Sequence, residues 1–287
     1  MLSFSSASND SVPDPHVSAG HPYICFYSGP GRIIFTVFKV VHVVTILPLC
    51  TFILYLGLQQ MQKKTPASSA ATSHCDVFTY HIVAMELIGV IGFFLSFFGN
   101  YMDDTNVFIY GFMVFSVTAY GQIFFHMLTS VERYLAVVHP VSYLGLKNEK
   151  GVRIRNVTVV WVWLLCFASI GYMTTGSYII LDTFLNVLAT AVIFFCCVSV
   201  LFALIRPGPG RKRPDQSKQR AFCTILVILG VLMVRLSFGL VWVGLDLTGN
   251  AARCLTMVCT TGVNLPSSLV LPLLFLHRAG KLACCIK

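Results

Sequence analysis

Seven apolar runs, each long enough to cross a bilayer as a helix, divide the chain. They lie near residues 33–58, 78–100, 107–133, 157–175, 178–205, 221–245 and 254–276. Spanning the hydrocarbon core takes about 20 helical residues. None of the runs alternates polar and apolar side chains as a half-buried strand does, and an open strand in lipid leaves backbone groups unpaired. The pattern predicts an all-α membrane protein, a seven-transmembrane helix bundle. It divides into an amino-terminal segment (1–32), the bundle (33–276) and a tail (277–287). The fourth and fifth runs are separated only by the stretch around "TTGSY".

Composition supports the same class. Of 287 residues, 56% are hydrophobic and only 11% charged, too little polar surface for a soluble domain of this length. The net charge of +9 is read as a topology signal. The loops after the first, third and fifth runs and the tail, with Arg133, hold 16 of the 20 Lys and Arg. The opposite side shows Asp103, Asp104, Asp182 and Asp246. The positive-inside rule then puts the amino terminus outside and the carboxyl terminus in the cytosol. Asn9, in an Asn-Asp-Ser sequon, falls outside and is a glycosylation candidate; Asn156, in an Asn-Val-Thr sequon, falls inside. The first residues have neither the basic start nor the apolar core of a cleaved signal peptide, so the first run is expected to do the targeting.

Several function classes drop out. No HExxH, CxxC pair or GxSxG occurs, and "GPGRKR" lacks the ending of a phosphate loop. Neither an enzyme, a metal site nor a cofactor is expected. No aromatic-plus-basic groove pattern suggests nucleic acid. The paired broken helices of many transporters are not apparent. Most of the 11 cysteines lie inside apolar runs, where Cys packs as a small hydrophobe. His42, His81 and His126 read as packed or interfacial.

Two charges fall at membrane depth, Glu86 in the second run and Arg235 in the sixth. Such groups cost roughly 2.5–3.5 kcal/mol on insertion scales and face the bundle interior. Arg235 is about 15 Å of helix from the outer edge, too far to snorkel with ease. Its expected partners are Glu86 or an anionic ligand, against backbone carbonyls, water or a lipid headgroup. Tyr110, Tyr120 and Trp242 join Arg235 as a candidate ligand pocket, which suits a lipid or apolar molecule as well as an anion.

The end of the third run, "VERYLAVVHP", closely resembles the inner end of the third helix in rhodopsin-like (class A) G-protein-coupled receptors. Their Asp/Glu-Arg-Tyr motif matches Glu132, Arg133 and Tyr134. The following "LAVVHP" is most similar to the purinergic, protease-activated and chemokine branches. "FTYHIVAMELIGV" resembles the family's second helix, with Glu86 at the usual aspartate, and "LPLCTF" the first, with Cys50 at the usual asparagine. Trp161 or Trp163 supplies the fourth-helix tryptophan.

The resemblance implies a cell-surface receptor that binds an extracellular ligand and activates a heterotrimeric G protein. It implies a resting lock between Glu132 and Arg133. It also implies a polar site at Glu86 with Gln122 and Ser267, read as a protonated or hydrogen-bonded acid rather than a strong sodium site. G-protein contacts fall on Arg133, His139, Pro140, Arg206, Lys218 and Arg220. A Cys25–Cys254 disulfide follows the chemokine and purinergic pattern. The tail forms a short amphipathic helix, with Cys284 and Cys285 as palmitoylation candidates, and the basic loop before Arg220 meets membrane lipid.

The sequence also departs from the family. The sixth run has Leu236 and Phe238 where Trp and a kinking Pro are usual, with Gly239 able to permit a bend. The seventh has Pro266 and Pro272 but Leu274 at the terminal tyrosine, and Val270 at the usual acid. Phe108 replaces the third-helix cysteine. These departures favour, as the alternative, a seven-helix decoy, a constitutively active protein or a partner-dependent subunit.

Overall fold

A computed structural model of the chain describes residues 29–62, 74–102, 104–146, 148–173, 178–205, 216–248 and 252–278. Nine helices occupy them: α1 (Gly29–Gln62), α2 (His74–Tyr101), α3 (Thr105–Val138), α4 (Pro140–Leu146), α5 (Glu149–Met173), α6 (Tyr178–Ile205), α7 (Gln216–Leu247), α8 (Arg253–Gly262) and α9 (Asn264–Arg278). No strand occurs among the described residues. Seven segments are long and apolar enough to cross a membrane, α8 and α9 together making the seventh. The chain is a multi-pass membrane protein with a fold compatible with a seven-helix bundle.

The helices overrun most of the apolar runs because their ends extend into polar sequence, where backbone hydrogen bonding continues. Asp104 caps α3, accepting from the backbone N–H groups of Asn106 (2.9 Å) and Val107 (3.3 Å). Pro140 opens α4 at the first helical position, where its missing N–H is no loss. This short helix lies inside what the sequence reads as a loop.

The seventh span breaks for a specific reason. Pro266 has no N–H to offer the Gly262 carbonyl four residues back, and its ring crowds that carbonyl. The chain resolves this by ending α8 at Gly262 and restarting at Asn264, which leaves Pro266 in the first turn of α9. By contrast α7, which has no proline, runs uninterrupted through Gly239.

α3 is the central helix, packing against α2, α5, α6, α7 and α9. Its largest neighbour is α2, and small residues set that approach. A side-chain carbon on Gly111 would collide with the backbone nitrogen of Ser96, and one on Gly99 with that of Phe108. Close backbone approach through small residues is the membrane substitute for hydrophobic association, since lipid is as apolar as the helix faces. Residues that point away from the bundle are large and apolar, such as Phe94, Phe98, Trp161, Phe195 and Val241. They form the surface that lipid requires.

Gly111→Leu is expected to block the α2–α3 approach and lower the thermal unfolding midpoint sharply, with loss of monodisperse protein on size-exclusion chromatography. Gly230→Ala, where an added carbon meets nothing within 4 Å, is expected to be neutral or to stabilise by up to about 1 kcal/mol through helix propensity.

Candidate functional site

Glu86 stands in the middle of α2 and is 1% exposed. Its carboxylate is met from two other helices, and a third joins through Gln122. Gln122 of α3 donates from Nε2 to Oε1 at 2.7 Å. The His42 ring of α1 lies with Nε2 3.2 Å from Oε2. Gln122 Nε2 also reaches Ser268 Oγ of α9 at 2.6 Å, and that hydroxyl donates to the Asn264 carbonyl at 3.2 Å. A buried amine lies beside the group: Lys39, 3% exposed, sits over the Phe35 and Phe115 rings.

The expected grouping of Glu86 with Gln122 is therefore present. Ser267 does not join it. Its hydroxyl is buried without a hydrogen-bond partner among the described residues, and Ser268 takes the place. Adjacent residues on a helix differ by about 100° in direction, so the rotation of α9 decides which serine points at Gln122.

Arg235 is 5% exposed on α7 and does not pair with Glu86. Its Nη2 donates to Asp182 Oδ1 at 3.2 Å and its Nη1 to the Ala119 carbonyl at 3.2 Å. Asn186, one turn along α6, donates to Asp182 Oδ2 at 3.1 Å. Asp182 looked like an outer-edge charge in the sequence, but α6 begins at Tyr178 and places it on the inner face, within reach of α7. The pair lines a cavity of about 120 Å³ between α3, α6, α7, α8 and α9. Phe112, Phe115, Tyr120, Trp242 and Met257 form its apolar wall, and Thr183, Thr260, Thr261 and Asn264 its polar one. Of the four residues expected in a pocket, Tyr120, Arg235 and Trp242 line it. Tyr110 does not: it is 66% exposed on the outer surface of α3, and Phe112 and Phe115 face inward in its stead.

At the other end of α3, Glu132 is buried and Arg133 and Tyr134 half-buried. The Glu132 carboxylate accepts from the Tyr143 hydroxyl of α4 at 3.3 Å. Arg133 Nε is buried with no hydrogen-bond partner, and no ion pair joins Glu132 to Arg133 among the described residues. The expected direct lock is thus replaced by a contact to α4. Tyr134 packs its ring against His139, with the hydroxyl 3.1 Å from Nε2. His139, Pro140 and Arg220 are exposed.

Trp163, not Trp161, turns inward, and its indole N–H donates to His81 Nδ1 at 3.4 Å. Asn9, Cys25, Arg206, Cys284, Cys285 and the tail after Arg278 lie outside the described residues, as does the Lys218 side chain, so the glycosylation, lipidation and tail-helix readings rest on sequence alone; Cys254 is disulfide-bonded, to a partner outside the described residues. The sequence reading gave His42 and Asp182 no place in a site and passed over Lys39, Tyr143 and Ser268. Lys39 and His42 carried a usable signal, two polar residues three apart in an apolar run and so on one helix face.

In comparison with known proteins, the chain matches no family model and no curated protein.

Removing the Glu86 carboxylate would leave His42 and Gln122 buried without their partner. Glu86→Leu is expected to destabilise by about 3–5 kcal/mol, the usual cost of breaking a buried pair from one side, while Glu86→Gln keeps an acceptor for Gln122 and is expected to cost less. Unfolding midpoints of the two variants in nanodiscs, with Glu86→Leu the lower, check the ordering.

Proposed function

We propose that the chain is a divergent rhodopsin-like receptor of the plasma membrane that takes a ligand in the Arg235 cavity and reports to a heterotrimeric G protein at Arg133. One observation carries this reading. A cavity bearing charge and aromatic rings and the Glu132-Arg133-Tyr134 triplet occupy opposite ends of the same central helix. Tyr120 in the cavity wall and Arg133 lie about 20 Å apart along α3 at the standard helical rise. The positive-inside count puts the cavity outside and the triplet in the cytosol. A ligand acts by binding one of two helix packings better than the other, and α3 touches each helix that lines the cavity or flanks the triplet except α8.

The mechanism gives each residue a task. Arg235 and Asp182 tie α7 to α6 at the ligand end. Glu86, Gln122 and Ser268 hold α2, α3 and α9 together at mid-depth. Tyr143 holds Glu132 and leaves Arg133 to face the G protein with His139, Pro140 and the basic residues around Arg220.

A second reading, constitutive activity, is favoured by one specific contact. Glu132 is engaged by Tyr143 rather than by Arg133, so the arginine lacks the restraint that would silence it.

Guanine-nucleotide exchange, measured on the chain in nanodiscs with a panel of G proteins, tests both. Basal exchange above that of empty nanodiscs, abolished by Arg133→Ala and altered by Tyr143→Phe, is the expected result. No exchange under any condition assigns the chain to the decoy class. Exchange unaffected by Arg133→Ala removes the role given to that residue.

A further inference from the structure

The ligand class can be narrowed from the charge arrangement in the cavity, an inference that rests on the receptor reading for its consequence but not for the binding itself. The two charged residues that line the space form one ion pair, 3.2 Å between Arg235 Nη2 and Asp182 Oδ1. The pair is neutral as a unit. A ligand with a single charge of either sign would gain one partner and meet a like charge a few ångströms away, in a low-dielectric site where that repulsion is strong.

Both members nevertheless keep capacity to bind. The Asp182 side chain is 36% exposed, and its carboxylate, with about four acceptor positions, uses one on Arg235 and one on Asn186. The Arg235 guanidinium has five N–H donors and spends them on Asp182 and the Ala119 carbonyl, with room left for a further acceptor. A third group points to the same place: Tyr120 lines the cavity, is 2% exposed, and its hydroxyl has no hydrogen-bond partner among the described residues. The lining also carries three aromatic rings, Phe112, Phe115 and Trp242.

We infer that the cavity recognises a small zwitterion with an aromatic or apolar body. The cationic end of the ligand faces Asp182, its anionic end faces Arg235 and the Tyr120 hydroxyl, and its body lies on the rings. This revises the sequence expectation of a simple anion, because Asp182 answers the arginine from within. The same chemistry is presented by a free amino-acid-like solute and by the choline phosphate headgroup of a lipid.

The test uses the full chain in nanodiscs and three probes: phenylalanine, 2-phenylethylamine, which lacks the carboxylate, and 3-phenylpropanoate, which lacks the ammonium. Saturable stabilisation against thermal unfolding is expected with phenylalanine, and each one-charge analogue is expected to need at least tenfold more. Asp182→Asn should erase most of the preference over 3-phenylpropanoate, and Arg235→Gln most of that over 2-phenylethylamine. If Arg235→Gln does not fold, the wild-type series and Asp182→Asn decide. Nanodiscs of phosphatidylglycerol and of phosphatidylcholine separate the sources. Equal phenylalanine affinity in both assigns a soluble zwitterion, and affinity lost only in phosphatidylcholine assigns the lipid headgroup. An analogue that matches phenylalanine, or no saturable effect from any probe in phosphatidylglycerol nanodiscs, overturns the inference. Zwitterion binding that leaves nucleotide exchange unchanged keeps the pocket and counts against the receptor reading. Exchange driven by a ligand of another class does the reverse.

Discussion

A carboxylate at mid-membrane has no water to turn to, so it must be answered by other helices. Glu86 is answered by α1 through His42, by α3 through Gln122, and by α9 through the Gln122–Ser268 bond. Apolar contacts alone give helices in lipid little reason to choose one rotation over another, because lipid competes equally for every apolar face. A buried acid does choose. It fixes which face of α2 turns inward, and with it the glycine face that lets α3 come close. The packing of the central helix, and hence the positions of both the cavity and the Glu132-Arg133-Tyr134 triplet, follow from that choice.

The same principle operates a second time between α6 and α7. Arg235 is compensated by Asp182 and a backbone carbonyl rather than by the acid of the first cluster. Two charge-compensated groups therefore sit on either side of α3, one sealed in the bundle and one bordering a cavity. The sealed group is suited to holding the fold. The bordering group has an accessible member, Asp182, and is the one a small molecule can reach.

Much of this was legible in the sequence, though not evenly. The seven spans follow from run length alone, a property that needs no knowledge of packing. That Glu86 and Arg235 face inward follows from the cost of charge in lipid. What the sequence could not supply was rotation. Ser267 and Ser268 differ by a single position, and the rotation of α9 about its axis determines which one meets Gln122. Tyr110 and Phe112 are two positions apart on α3, yet one faces outward and the other the cavity. Asp182 lies within a turn of a span edge, where a charge is equally at home in water or against a neighbouring helix. The Tyr143–Glu132 contact depended on α4, a helix in a segment with no apolar run to announce it.

The interruption of the seventh span has a mechanical meaning. Met257, Thr260 and Thr261 of the cavity wall belong to α8, whereas Ser268 and its bond to Gln122 belong to α9. Between them the Gly262 carbonyl has lost the N–H that would have carried a rigid ladder through. The span is thus two segments meeting at Val263, the first resting on α1 and α7 and the second on α1, α2, α3 and α7. The two halves are nonetheless linked: Asn264 of α9 belongs to the wall and its carbonyl holds the Ser268 hydroxyl, so a displacement of the wall that reaches Asn264 is felt at the bond that fastens the span to Gln122.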